Sequence, residues 1–192
     1  MTSEPQQLVS GPRVHLRHPT ESDRAAWIGL RRAGREFLER WEPLPAEGVD
    51  PFGDTGFDRY LHEADVPHRQ RHLVCLHDGT LVGHVGLSEI VRGPFQNAIM
   101  GYWIGERFAR QGLMTEAIGL CLRRAFTELG LHRVEANVIP RNMASKRTAE
   151  RARFRHEGYS PRYLEIAGVW EDHERYAMTS EDWVQLSGGC QV

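Results

Sequence analysis

The sequence predicts an α/β (α+β) domain built on a mixed sheet with helices on both faces. Runs of alternating apolar residues and runs at helical spacing follow each other in the order β-α-α-β-β-β-α-β-α-β-β. Three of the strands are consecutive, and Asp78-Gly79 between two of them is a two-residue hairpin signal. The 192 residues fit one domain with a sizeable core, assigned to 13–186, with a flexible leader at 1–12 and a flexible tail at 187–192.

Each element has its own signal. Val14 and Leu16 alternate within Arg13–Arg17, a first strand. Thr20-Glu21-Ser22-Asp23 is a capping-box pattern. Behind it, Ala26, Trp27, Leu30, Ala33 and Phe37 share a helical face. Glu42–Gly56, rich in Pro, Gly and acids, is a loop, and Phe57–Ala64 a short second helix. Leu73–His77 and Leu81–Ile90 are strands broken by Arg92-Gly93-Pro94, and Ala98–Ile104 is the next. Apolar residues from Leu113 to Leu129 recur at helical spacing and stop at Gly130. Arg133–Ile139 is a strand ending at Pro140, and Asn142 caps a helix to about Arg153. Two short strands, Tyr163–Ile166 and Glu174–Thr179, turn at Gly168.

Composition narrows the function. The chain is 40% hydrophobic and 26% charged, with a net charge of −2, which argues against a bulk nucleic-acid binder. No apolar run is long enough to span a membrane, and MTSEPQQLVSGPR lacks the pattern of a secretory signal. Cys75 and Cys121 sit inside apolar patterns, and three unpaired Cys fit a reduced, cytoplasmic protein. Ten His show no metal-binding spacing, so no metal is expected. Pro67–His72, PHRQRH, is basic and is expected to edge a cofactor or substrate groove.

RQGLMTEA, residues 110–117, carries the chemistry. Gly112 stands directly before the long helix, just after a strand and a short connector. Amides at such a helix start lack acceptors, and with the helix dipole they favour an anion. The pattern is neither G-x-x-x-x-G-K-[ST] nor G-x-G-x-x-G, which disfavours a nucleoside triphosphatase and a Rossmann site.

In this context the stretch resembles the Gcn5-related N-acetyltransferase (GNAT) family, which carries [Q/R]-x-x-G-x-[G/A] at the start of its main helix. Here the first anchor is Ala109 and the last Met114, so Gly112 alone matches. VRGPFQNAIMGYWIG, QGLMTEA, LHRVEANVIPRN, HEGY, YLEIAGVWEDH and a late Asp-Trp are similar, in order, to the RimJ/RimL-type ribosomal-protein-alanine N-acetyltransferases, over about Gly86–Trp183. That subgroup commonly has Gly-Leu-Met at the loop. FLERWEP extends the likeness into the N-terminal half.

The resemblance implies a mostly antiparallel sheet with a V-shaped splay between two central strands, and acetyl-CoA as cosubstrate. By resemblance, the backbone of Tyr102, Trp103 and Ile104 pairs with the pantetheine arm. The amides of Arg110, Gln111, Gly112, Leu113, Met114 and Thr115 take the phosphates. Asn142 binds the pantetheine amide, and Ser145 protonates the leaving thiolate. Many relatives use a Tyr four residues beyond that Ser, where this chain has Ala149. For the base, Glu165 ranks first, ahead of Glu89, Asp172 and His173, and a water wire with no dedicated base is the alternative. Relatives usually have Gly-Phe at the exit of the last helix; this chain has Arg153-Phe154. A left-handed Arg there costs on the order of 1–2 kcal/mol.

The expected function is N-acetyl transfer from acetyl-CoA by direct attack, with no covalent enzyme intermediate. The acceptor implied is the N-terminal alanine of a small-subunit ribosomal protein, and the chain is a monomer or a homodimer. A small amine (polyamine, aminoglycoside or amino-acid antibiotic) is the first alternative, and it calls for a closed, acid-lined pocket. A non-catalytic acetyl-CoA-binding module is the second. Glu42, Glu47, Asp50 and Asp54 form an acidic rim suited to a basic peptide.

Overall fold

Alternation in one strand shows how the molecule is layered. In a computed structural model describing residues 7–188, Leu73 and Cys75 of strand β4 (Arg69–Leu76) point to one side of the sheet. Val74, between them, points to the other. The first side is covered by α1 (Arg24–Ala33) and α3 (Asp54–His62), which bury Trp27, Leu30, Phe57 and Tyr60. The second is covered by α4 (Leu113–Thr127) and α5 (Met143–Arg151), with Leu113, Ile118, Leu122 and Ala149 in the core.

The other strands are β1 (Gln7–Ser10), β2 (Val14–Arg17), β3 (Asp65–Val66), β5 (Leu81–Val91), β6 (Asn97–Ile104), β7 (Arg133–Val138), β8 (Arg155–Ile166) and β9 (Val169–Thr179). They form one sheet in the order β1-β2-β4-β5-β6-β7-β9-β8, with β3 paired to β4. Every neighbouring pair is antiparallel except β6 and β7. That parallel ladder is short. It runs from Asn97↔Arg133 to Ile99↔Glu135 and stops, while β6 stays paired to β5 as far as Ile104. Beyond Ile99 the two strands part, which is the expected splay.

Several elements differ from the sequence reading. Gln7–Ser10, placed in a loose leader, pairs with β2 and buries Val9. Residues 1–6 and 189–192, with Cys190, lie outside the described residues. The first helix breaks at Gly34, and Phe37 belongs to a separate short helix α2 (Arg35–Glu39). The next helix starts at Asp54, inside the expected loop. Strand β8 begins at Arg155, well before Tyr163. Helix α6 (Ser180–Leu186) was not expected. Its signal is Thr179-Ser180-Glu181-Asp182, a second capping box, and it lays Trp183 against Phe126 at 6.1 Å. Arg153 is left-handed, with φ 66°, so the strain at that helix exit is carried.

Candidate active site

Gly112 caps α4 with φ 78° and ψ −1°, the left-handed geometry that favours glycine. The first helical bond closes from the Glu116 amide to the Gly112 carbonyl, so the amides of Leu113, Met114 and Thr115 have no acceptor within the helix. The side chains of Leu113 and Met114 are core; their amides carry the anion-binding capacity. Arg110 before them is also left-handed, at φ 61°. Arg13 braces the loop. Its Nη1 donates to the Gln111 carbonyl at 2.8 Å and its Nε to Glu116 Oε2 at 2.8 Å. Glu116 Oε1 also accepts from the backbone of Arg13 and Val14 at 2.7 and 3.1 Å. The α4 start is thereby held against β2 while its amides stay open.

A Cβ added at Gly112 meets only the flexible end of Arg13, so conformation and not space demands glycine here. Gly112→Ala is expected to raise the KM for acetyl-CoA about 5–10-fold through about 1 kcal/mol of loop strain, with a smaller change in kcat. Initial rates at varied acetyl-CoA check this.

The splay opens on a cleft of about 830 Å3. Tyr102, Trp103, Ile104, Met114, Asn142 and Ser145 all line it, which brings six of the expected residues together. Asn142 is the N-cap of α5, its Oδ1 accepting from the Ser145 amide at 3.1 Å. The Ser145 Oγ lies 2.8 Å from Tyr102 Oη, and that phenol also reaches the Ser145 carbonyl at 3.2 Å. Burial pushes the Tyr102 phenol up to about 12, against the pull of its bond to Ser145, so it keeps its proton at neutral pH. The sequence assigns Tyr102 a backbone role only. Its hydroxyl was missed because the partner lies 43 residues away.

The expected base is not brought to this place. Glu165 is exposed on β8 opposite Trp170 and does not line the cleft, because the long β8–β9 hairpin carries it outward. Glu89 is exposed too, its carboxylate 3.9 Å from Arg69. Asp172 is held by the Tyr159 hydroxyl and the Arg162 amide. His173 is buried, with Nδ1 3.0 Å from the Glu171 carbonyl, a packed structural histidine.

Three of the four acids of the expected rim are engaged by the protein itself, while Glu47 is exposed. Glu42 takes both Arg31 Nη atoms at 2.8 and 2.6 Å, and Asp54 pairs with Arg24. Asp50 accepts from the Phe52 amide. Deeper in the cleft, His84 Nδ1 is 2.8 Å from Tyr60 Oη and 3.0 Å from the His72 carbonyl. Burial, with Arg71 nearby, holds His84 well below the usual histidine value and therefore neutral. Among the described residues no helix is long and apolar enough to cross a membrane, and no group of three His, Cys, Asp or Glu is placed to hold a metal ion.

The acetyltransferase (GNAT) domain family matches residues 13–155. The chain belongs to the GNAT acetyltransferases. It is 33% identical over 168 residues, 84% of this chain and 86% of the other, to the [ribosomal protein uS5]-alanine N-acetyltransferase of Escherichia coli. A Bacillus subtilis protein named "Probable N-acetyltransferase YjcK" is 33% identical over 91% of this chain and 98% of its own. The structure of Mycobacterium smegmatis RimJ in complex with CoA-disulfide superposes with a TM-score of 0.82 at 31% identity, covering 93% of each chain. The GNAT fold, acetyl-CoA as cosubstrate and N-acetyl transfer as the reaction follow for this chain.

Proposed function

We propose that this GNAT enzyme acetylates the N-terminal alanine of a small-subunit ribosomal protein in the cytoplasm. The observation that carries the reading is the likeness, across most of the chain, to an enzyme named for the alanine of uS5. The cleft lining weighs against polycationic acceptors. Arg31, Arg40, Arg59, Arg69, Arg71 and Arg141 line it, with Glu42 as the single carboxylate. A polyamine or an aminoglycoside meets repulsion there. The Tyr102–Ser145 pair, poised at the splay, weighs against a non-catalytic binding module.

When bound, acetyl-CoA supplies an acyl group already activated as a thioester. The amides of Leu113, Met114 and Thr115 hold its phosphates, and the β6 edge at Tyr102, Trp103 and Ile104, unpaired to β7, offers backbone groups to the pantetheine arm. Ser145 Oγ and Tyr102 Oη hold the proton that the departing thiolate takes. With Glu42 engaged by Arg31, the proton of the acceptor ammonium leaves through water along the open cleft.

Peptides beginning with Ala, Ser or Met, beside spermidine and an aminoglycoside, test the acceptor through thiol release. Turnover on the Ala peptide is expected; turnover on a small amine alone overturns the reading. With no dedicated base, kcat/KM rises with pH to a plateau set by the acceptor's own α-amine, at about 8. Glu165→Gln is expected to change kcat less than about twofold, since base removal costs about 10²–10⁴. A loss of that size on the pH–rate profile restores Glu165 as the base.

A further inference from the structure

The arginines of the cleft are not equally neutralised. Arg31 is closed by Glu42, and Arg141 pairs with Glu171 at 2.7 Å. Around Glu63, just past the end of α3, the balance differs. Arg59 Nε reaches Glu63 Oε1 at 3.0 Å and Arg71 Nη2 reaches Oε2 at 2.6 Å, while Arg69 also binds Oε2. Three guanidinium groups thus share one carboxylate. The next acids relieve this little. Glu89 lies 3.9 Å from Arg69 with two-thirds of its side chain in water, and Asp65 is bound by Gln70. Burial and the Arg69 charge hold Arg71 below the usual guanidinium value despite the pull of Glu63. Arg69 and Arg71 are about one-fifth exposed, and both line the cleft. They belong to the basic stretch PHRQRH, expected from sequence to edge a groove.

The sheet sets the distance from the cluster to the splay. Arg71 pairs with Gly86, and Gly86 with Gly101, one residue before Tyr102. Cross-strand partners share a face, so this row presents an arginine followed by two residues without side chains. A Cβ at Gly101 would meet nothing within 4 Å, whereas one at Gly86 would meet the His84 ring at 2.8 Å, so the row is open beside the splay and bordered by the neutral His84 beside the cluster. Two strand spacings put the Arg71 backbone about 10 Å from Gly101. An extended peptide, at about 3.4 Å per residue, covers that with its third residue and that residue's side chain.

We propose that Arg69 and Arg71, with Arg59 at the rim, form a subsite for a carboxylate on the acceptor, carried by an Asp or Glu at about the third position of the acetylated peptide. The inference rests on the N-terminal peptide reading above and adds a sequence preference to it. Arginine forks match a carboxylate in two parallel bonds, and the cluster has more donors than Glu63 can use.

The test is kcat/KM by thiol release for three peptides that begin with Ala and differ only in Glu, Gln or Lys at the third position. The expected ratio of Glu to Gln is about tenfold, carried mainly by KM and shrinking with added salt, with Lys poorest. In Arg71→Gln and, separately, Arg69→Gln, that ratio falls toward one. It is measured within a single preparation, so an incompletely folded variant does not distort it. Equal turnover of all three peptides by the wild type, or a ratio unchanged in both variants, overturns the subsite and leaves the N-terminal reading standing. Turnover of a small amine with no peptide accepted removes both.

Discussion

Removing the Tyr102 hydroxyl together with that of Ser145 is expected to lower kcat about 10²–10³-fold. The two oxygens are 2.8 Å apart at the mouth of the splay, and both line the cleft. Tyr102→Phe keeps the ring, which packs on the core around α4, so the fold survives and the loss belongs to the proton. Ser145→Ala keeps the Asn142 cap, because that bond uses the Ser145 amide. If the pair acts as one proton carrier, each single change costs nearly as much as both. The check is kcat for both singles and the double at saturating substrate. A more acidic leaving thiol should recover part of the loss, since it departs without needing the proton. Additive single effects, or no rescue, would place the acid elsewhere. Loss of activity in both singles would mean that a phenol from β6 stands in for the tyrosine absent at Ala149.

How much of this was legible depends on where each feature stores its information. The loop at Gly112 reads well because its chemistry is local: one left-handed glycine and a helix start suffice. Strand β5 reads well because both faces are covered and its apolar residues leave no choice, whereas β4 is read only from Leu73, since its first half, Arg69–His72, is polar. Strand β8 does not read well. It is an edge strand, exposed along most of its length, so no apolar alternation marks it. It is laid along β9 by the backbone ladder, and a charged contact ties it across the sheet, with Glu157 taking Arg133 of β7. The position of Glu165 outside the cleft lining follows from that strand: resemblance locates the residue along the chain, while the hairpin decides where it stands in space. The Tyr102–Ser145 pair is a tertiary product, joining segments no local pattern connects, whereas the Glu63 cluster closes within residues 59–71, with Arg59 and Glu63 four apart on one helical face.

The largest expected effect on stability lies away from the cleft. Arg17 and Asp23 are both buried and form a two-pronged pair at 2.7 and 2.5 Å. The same carboxylate accepts from the Thr20 amide at 2.8 Å and from its hydroxyl at 3.0 Å, which fixes the entry to α1. Asp23→Ala leaves a guanidinium buried without its partner and is expected to cost about 3–5 kcal/mol. For a chain of this size that lowers Tm by on the order of 10 °C. Arg17→Met combined with Asp23→Asn, which leaves no buried charge, should recover more than half of the loss. The sign with pH is defined. Burial pushes the Asp23 carboxyl up, but the bonds from Arg17 and Thr20 outweigh it and leave it below the usual carboxylate value. Its contribution is therefore complete above the unfolded-state pKa of about 4 and is lost as pH falls through the lower folded value. Urea melts between pH 7 and pH 3 check this: the wild type should lose stability faster than Asp23→Ala over the acid part of that range. Parallel losses would remove Asp23 as a source of the acid sensitivity.

The short ladder between β6 and β7 has one more consequence. Among the described residues, three residue pairs, from Asn97↔Arg133 to Ile99↔Glu135, are all the sheet pairing between the strands that precede α4 and those that follow it. Toward Ile104 no ladder pairs β6 with β7. A molecule that hydrogen-bonds along that edge acts as a keystone, spanning a seam that the chain does not close itself. Its binding free energy then enters the cohesion of the whole domain by mass action, so the resistance of this protein to unfolding inside a cell follows the concentration of its own cosubstrate.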